Sequence, residues 1–305
     1  MITKRTKRSI VISLCVGLIL CIGAVGCSKD KEVVLPLENV VPGEKENHFS
    51  SVYEGIKHDF IVYLPDERKE ETPLILMLHG YGSNAESFRS TTLLDEDATR
   101  KGYAVVYVTG ASDPEDKTSS TGWNSGLKDS SKDDVGFLIA LAAYLQDEYQ
   151  LSKEKTFAVG FSNGAFMTYR LAMKASDTFR AIASVAGMMP EKIWNERLEA
   201  ADIGVLQING TKDDVVPMIA NGSDQTSRAP AIENVITYWA GANGLDHVEK
   251  EQLSDRAEVV KHSSASKKNA VWHVVITDGY HSWPQEQYVG FNANGLILEF
   301  FDGYL

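Results

Sequence analysis

Beyond residue 27 this 305-residue chain has no cysteine: Cys15, Cys21 and Cys27 account for all three. The body can therefore form no disulfide, carries no thiolate nucleophile and offers no cysteine-based metal site. Cationic charge is also scarce, with 30 Lys and Arg against 42 Asp and Glu, a net charge of −12. A chain so acidic is poorly suited to nucleic acid, whose binding relies on Lys and Arg neutralising phosphates, and the excess is read as solubility. No H-E-x-x-H or comparable His and carboxylate spacing occurs, so no metal is expected. No internal repeat and no compositional break marks a second domain.

The first 27 residues read as a leader. Lys4, Arg5, Lys7 and Arg8 form a positive head, and Ser9 to Gly26 is uncharged and largely apolar. Such a stretch is borderline between an export signal and a short membrane span. Ala24-Val25-Gly26-Cys27 resembles a bacterial lipobox, with Ala24 where Leu is usual, which implies lipidation of Cys27 and a membrane anchor. A retained helix or simple secretion are the other readings. Cleavage before Cys27 would take the net charge from −12 to −16. Residues 28–50, charged and Pro-containing, are expected to be a flexible tether, and residues 51–305 a single domain.

The body alternates short apolar runs with amphipathic stretches. His58 to Leu64 alternates like an antiparallel strand. Pro73–Leu78, Tyr103–Val108, Thr156–Gly160, Ala181–Ala186, Gly204–Ile208 and Ala270–Ile276 are continuous apolar runs, as strands buried on both faces require. Helical spacing is clearest over Asp134–Tyr149, and a second helix is expected from Ser162 past Met173. Residues 257–269 are polar enough to read as a surface loop. Strands alternating with helices predict an α/β fold with a mostly parallel sheet, helices on both faces and no large lid.

Gly160-Phe161-Ser162-Asn163-Gly164 is a G-x-S-x-G pentapeptide between an apolar strand and a helix. That setting projects a serine from a sharp, strained turn, with glycines leaving room for its packing. A serine hydroxyl needs a base, and the base needs a carboxylate to orient it. Of the later histidines, His273 lies within an apolar strand, and His247 and His262 lie in polar surroundings. His281 sits in a turn-rich loop after the last strand, where active-site groups of open α/β sheets gather. The acid is expected after the preceding strand, at Asp213 or Asp214. Backbone N–H groups of Asn163 and Tyr81 are candidates for holding a developing oxyanion. His79 precedes the serine and reads as a brace of its loop.

The set LHGYG, GWN, DDVGF, GFSNGAFMTYRLA, NGTKDDVVP and GYHSWP, in this order, resembles the polyhydroxybutyrate depolymerase and feruloyl esterase-like group of α/β-hydrolases. The resemblance spans nearly all of residues 51–305. It implies hydrolysis of carboxylic esters without metal or organic cofactor, with Asp213 as the acid and Asn209 where His is common. It also implies that Trp123 and Trp283 line the substrate cleft. Polymer-degrading members often carry a binding module and disulfides, absent from this sequence, so a small or oligosaccharide ester is the expected substrate. A peptidase of the same fold and a catalytically dead carbohydrate-binding protein are the competing readings.

Overall fold

The parallel strands form where the apolar runs lie, because only a strand covered on both faces tolerates five consecutive apolar residues. In chain order the strands are β1 (Glu38–Pro42), β2 (His48–Tyr53), β3 (Ile56–Tyr63), β4 (Leu74–Leu78), β5 (Ala104–Val108), β6 (Thr156–Phe161), β7 (Ala181–Val185), β8 (Gly204–Gly210), β9 (His247–Ser254), β10 (Ala257–Ser263) and β11 (Val271–Ile276). The helices are α1 (Ala85–Thr92), α2 (Leu94–Arg100), α3 (Asp134–Tyr149), α4 (Asn163–Lys174), α5 (Glu191–Asn195), α6 (Ile232–Ala242), α7 (Glu286–Val289) and α8 (Ala293–Asp302). This computed structural model describes residues 34–114, 118–219 and 229–305. The leader and Cys27 lie outside the described residues, as do residues 28–33.

All these strands join one sheet in the order β1-β2-β3-β5-β4-β6-β7-β8-β11-β10-β9. Neighbours from β5 through β11 in that order run parallel, and both flanks are antiparallel. Side chains alternate between two cores: Leu74, Leu76 and Leu78 point into the one with residues of α3, α4 and α6, and Ile75 and Met77 into the one with residues of α1, α2 and α8. Asn84, Asp133 and Asn292 cap α1, α3 and α8 by accepting backbone N–H bonds, which satisfies donors no helix can satisfy itself. Among the described residues no lid domain interrupts the sheet, and no helix is long and apolar enough to cross a membrane.

Two expectations are corrected. Part of the stretch read as a tether is sheet: β1 and the start of β2 lie in it and pair antiparallel, and Val34, Leu37 and Val40 rest against the core. The stretch from residue 257, read as a loop, begins with β10, which pairs with both β9 and β11. Its Ala257 and Val259 are buried, while Glu258 and Lys261 pair across to Lys250 and Glu251. A strand wet on one face reads as polar, although its inner face is apolar.

The turn between β6 and α4 has no spare volume. A Cβ at Gly160 would run into the Gly164 carbonyl, and one at Gly164 into the Leu78 carbonyl of β4. Gly164→Ala is expected to cost about 3 kcal/mol, and Gly241→Ala, where nothing lies within 4 Å, is expected to cost nothing. Urea unfolding of both variants checks this contrast.

Burial also keeps three histidines neutral: His58, His79 and His273 are each pushed from 6.5 down to about 4, chiefly by loss of water. The unfolded chain takes up these protons at higher pH than the folded one. Stability should therefore be full above pH 6.5 and fall progressively toward pH 4. A series of urea midpoints across that window tests it. A flat profile would mean that the three rings are not held neutral by burial.

Candidate active site

Ser162 occupies the tip of the β6–α4 turn with φ 53° and ψ −119°, a left-handed conformation rare for a residue with a side chain. It is the N-cap of α4, yet its side chain makes no capping bond. The hydroxyl lies 3.0 Å from Nε2 of His281 instead. Nδ1 of His281 lies 2.8 Å from Oδ2 of Asp213. With a buried carboxylate as its partner, Nδ1 carries the proton, and Nε2 is left to accept from the serine. Asp213 has a fully buried side chain, and His281 is 16% exposed. Oδ1 of Asp213 accepts the N–H groups of Val215 (3.0 Å) and Val216 (2.7 Å), which fixes the carboxylate plane. Asp214 points into solvent.

These three residues are far apart in sequence, and close backbone approach unites them. A Cβ on Gly279 would lie 2.9 Å from Gly210 Cα, so the loops after β8 and β11 meet where neither has a side chain. The contact is locked by Lys212 N–H donating to Gly279 O (2.8 Å) and Thr211 N–H to Ile276 O (3.0 Å). Asp213 and His281 follow directly on these two strands of contact.

The loop after β4 runs alongside the serine: a Cβ on Gly80 would lie 3.4 Å from Ser162 Cβ. Tyr81 follows Gly80, and Asn163 opens α4, where first-turn N–H groups have no partner within the helix. His79 braces this loop. Its Nε2 accepts from Gly110 N–H at 2.9 Å, Nδ1 meets Gly80 O at 2.6 Å, and its carbonyl accepts the Trp123 indole N–H at 2.9 Å.

A cleft of about 690 Å³ opens beside Ser162, lined by Tyr81, Trp123, Leu127, Phe166, Val215 and Val216 together with Asn163. Trp283, by contrast, does not line it. Its ring packs edge-on against Phe88 at 5.7 Å, and its N–H donates to Asn294, because the chain after His281 turns into the α1/α8 core. Of the other histidines, His273 is buried within β11 and His247 is exposed. Among the described residues no group of three His, Cys, Asp or Glu could hold a metal.

Sequence reasoning missed a charged pair built into the cleft wall, where Lys132 is one of the lining residues. Lys132 and Asp134 form an ion pair with side chains only 3% and 2% exposed, and the Asn163 side chain bonds to Trp123 and Ser125. Lys132 follows two serines in a polar stretch, the usual look of a solvated loop. Only the strong helix signal that starts beside it hinted at a buried end.

Known proteins resemble this chain at the levels of sequence and fold. A putative esterase, NocK, of Nocardia uniformis subsp. tsuyamanensis is 27% identical over 242 residues, covering 70% of this chain and 66% of its own length. A bifunctional acetylxylan esterase/xylanase of Neocallimastix patriciarum is 24% identical over 53% of this chain and 22% of its own. Feruloyl esterase B of Thermothelomyces thermophilus is 28% identical over 42% of this chain and 43% of its own. The chain thus spans less than two thirds of these relatives. The acetyl xylan esterase of Aspergillus awamori shares the fold, with a TM-score of 0.60 at 14% identity over 81% of this chain and 94% of that one. The carboxylesterase of Bacillus cereus does so with a TM-score of 0.51 at 14% identity and the same coverage. With the nucleophile-elbow turn in place and residues 58–257, well over half of the chain, matching the family model Esterase PHB depolymerase, the chain belongs to that family of α/β-hydrolases.

Proposed function

We propose that this protein is a serine esterase that cleaves carboxylic esters through an acyl-enzyme. The observation that carries the reading is the unbroken chain from Ser162 Oγ through His281 to buried Asp213 at the mouth of a largely apolar cleft. Ser162 attacks the ester carbonyl carbon while His281 Nε2 takes the hydroxyl proton. Asp213 holds the ring and stabilises the imidazolium. The carbonyl oxygen, now negative, is received by the N–H groups of Asn163 and Tyr81. The C–O bond to the alcohol then breaks, and the alcohol leaves with the proton from His281. A water, deprotonated by the same nitrogen, hydrolyses the acyl-serine and restores Ser162.

The substrate class is proposed as a small or oligosaccharide ester bearing an acetyl, feruloyl or hydroxyalkanoate acyl group. The apolar cleft supports it, as do relatives named for feruloyl and acetylxylan esters. Trp123, with its indole N–H tied to His79, forms a fixed wall for the bound group. No metal or organic cofactor enters this chemistry. The membrane would be reached through a lipid on Cys27, with the domain exported.

Two experiments test these proposals. The first assays p-nitrophenyl and feruloyl esters: Ser162→Ala should lower kcat by about 10⁶-fold and Asp213→Asn by about 10⁴-fold, with Asp214→Asn unchanged. A folded wild type inactive on every ester would refute the esterase reading. An Asp214 effect that exceeds the Asp213 effect would reassign the acid. For the anchor, bacteria expressing the full chain should incorporate labelled palmitate into the protein and hold it in the membrane fraction. Cys27→Ser should release it unlabelled.

A further inference from the structure

The proposed ester chemistry uses three side chains and two backbone N–H groups, and it leaves the buried ion pair beside the cleft without a part. Lys132 Nζ stands 3.2 Å from Asp134 Oδ2, both side chains are almost wholly buried, and Lys132 reaches the cleft surface. Charges buried this way are costly unless every donor and acceptor is met. Burial pushes the Asp134 carboxyl upward, and Lys132 and the Asn124 N–H pull it back.

Here the partners are the backbone of the cleft wall. Lys132 Nζ donates to Ala111 O at 2.7 Å and Gly122 O at 2.8 Å. Asp134 Oδ2 accepts the Asn124 N–H at 2.6 Å. The Asn124 amide donates back to Lys132 O, and Arg170 of α4 donates to Asn124 O. Both ends of Gly122-Trp123-Asn124 are thus pinned. In the middle, Trp123 N–H donates to the Asn163 side-chain oxygen at 2.8 Å. Gly122 has no slack, since a Cβ there would lie 3.0 Å from Tyr81 Cδ2 and 3.1 Å from Asn163 Oδ1. The two residues it touches are the two proposed oxyanion donors.

We infer that Lys132 and Asp134 are positioning residues, which hold the oxyanion-binding backbone of Asn163 and Tyr81 in register with Ser162 through the Gly122–Asn124 segment. This rests on the esterase reading of the site. The alternative is that the pair serves folding alone. Apolar side chains of similar size could fill that role as well or better, but they cannot hold two carbonyls and an N–H.

The test replaces both charges together, so that neither is left isolated: Lys132→Met with Asp134→Leu, in the full chain. A second double variant, Lys132→Met with Asp134→Asn, keeps an acceptor for the Asn124 N–H and guards against a failure to fold. Reactive serine is titrated with a p-nitrophenyl phosphonate, so that kcat on p-nitrophenyl acetate is expressed per reactive Ser162. Amide exchange is followed over residues 121–125. Expected are a kcat per site lower by roughly a hundredfold and a KM within about threefold. Exchange should be faster in that segment alone, and the Asp134→Asn pair should recover part of the loss.

A folded variant whose kcat per site stays within about twofold of wild type would overturn the inference, whether or not the segment exchanges faster. So would activity lost only in proportion to titratable sites, the mark of a folding role. If the wild type itself hydrolyses no ester, the esterase reading fails separately. The pair is then judged by exchange and by the rate of Ser162 phosphonylation, and unchanged values of both reject it.

Discussion

The site depends on the backbone of Ser162, held at φ 53° and ψ −119° by a turn with no free volume. Such a conformation costs about 1–3 kcal/mol, and it sits between Gly160 and Gly164, whose close approach to neighbouring carbonyls leaves no room for a Cβ at either. The distortion has two chemical consequences. A serine at a helix N-cap ordinarily spends its hydroxyl on the N–H groups of the first turn, whereas this one faces the imidazole. Those first-turn N–H groups then stay uncapped by it, at the positive end of the helix dipole, where a developing anion is stabilised. One strained residue thus leaves the hydroxyl of the proposed nucleophile free of the cap and keeps the proposed donors available.

The imidazole and its carboxylate depend on a different constraint. Parallel strands deliver their following loops to the same edge of the sheet, which brings residues 162, 213 and 281 to one end of the fold. Delivery to one edge does not by itself set the spacing of the two loops. The Gly210–Gly279 approach brings them together, and the two N–H bonds into Asp213 Oδ1 settle the carboxylate orientation.

What was legible in the sequence follows from which physical signals are local. Buried parallel strands write themselves as apolar runs, and β4, β5, β6, β7, β8 and β11 fall within a residue or two of the expected places. The G-x-S-x-G turn is equally local, because its steric needs lie within five residues. β1, β2, β9 and β10 were not legible in this way. They are sheet flanks with solvated residues, such as Glu258 and Lys261, whose strand character comes from partners elsewhere in the chain. The choice between Asp213 and Asp214 is of the same kind: adjacent and chemically identical, they differ only in which one the folded loop buries.

The two tryptophans show why motif membership alone cannot assign a role. Both belong to short motifs near the site, yet Trp123 lines the cleft and Trp283 sits in the α1/α8 core. Their positions are complementary. Trp283 fastens the loop bearing His281 through Asn294, which itself donates to the Thr92 carbonyl at the end of α1. Trp123 belongs to the wall pinned by Lys132 and Asp134 beside α3 and α4. His281, the proposed base, is therefore anchored from one face of the sheet and the proposed oxyanion side from the other, with Ser162 on the strand end between them. Rigid-body motion of either helical layer would change the spacing of these groups, so packing on both faces bears on the geometry of the site. A loop-borne group needs such support to hold the 3.0 Å spacing between Ser162 and His281, because loops are the most mobile part of a fold.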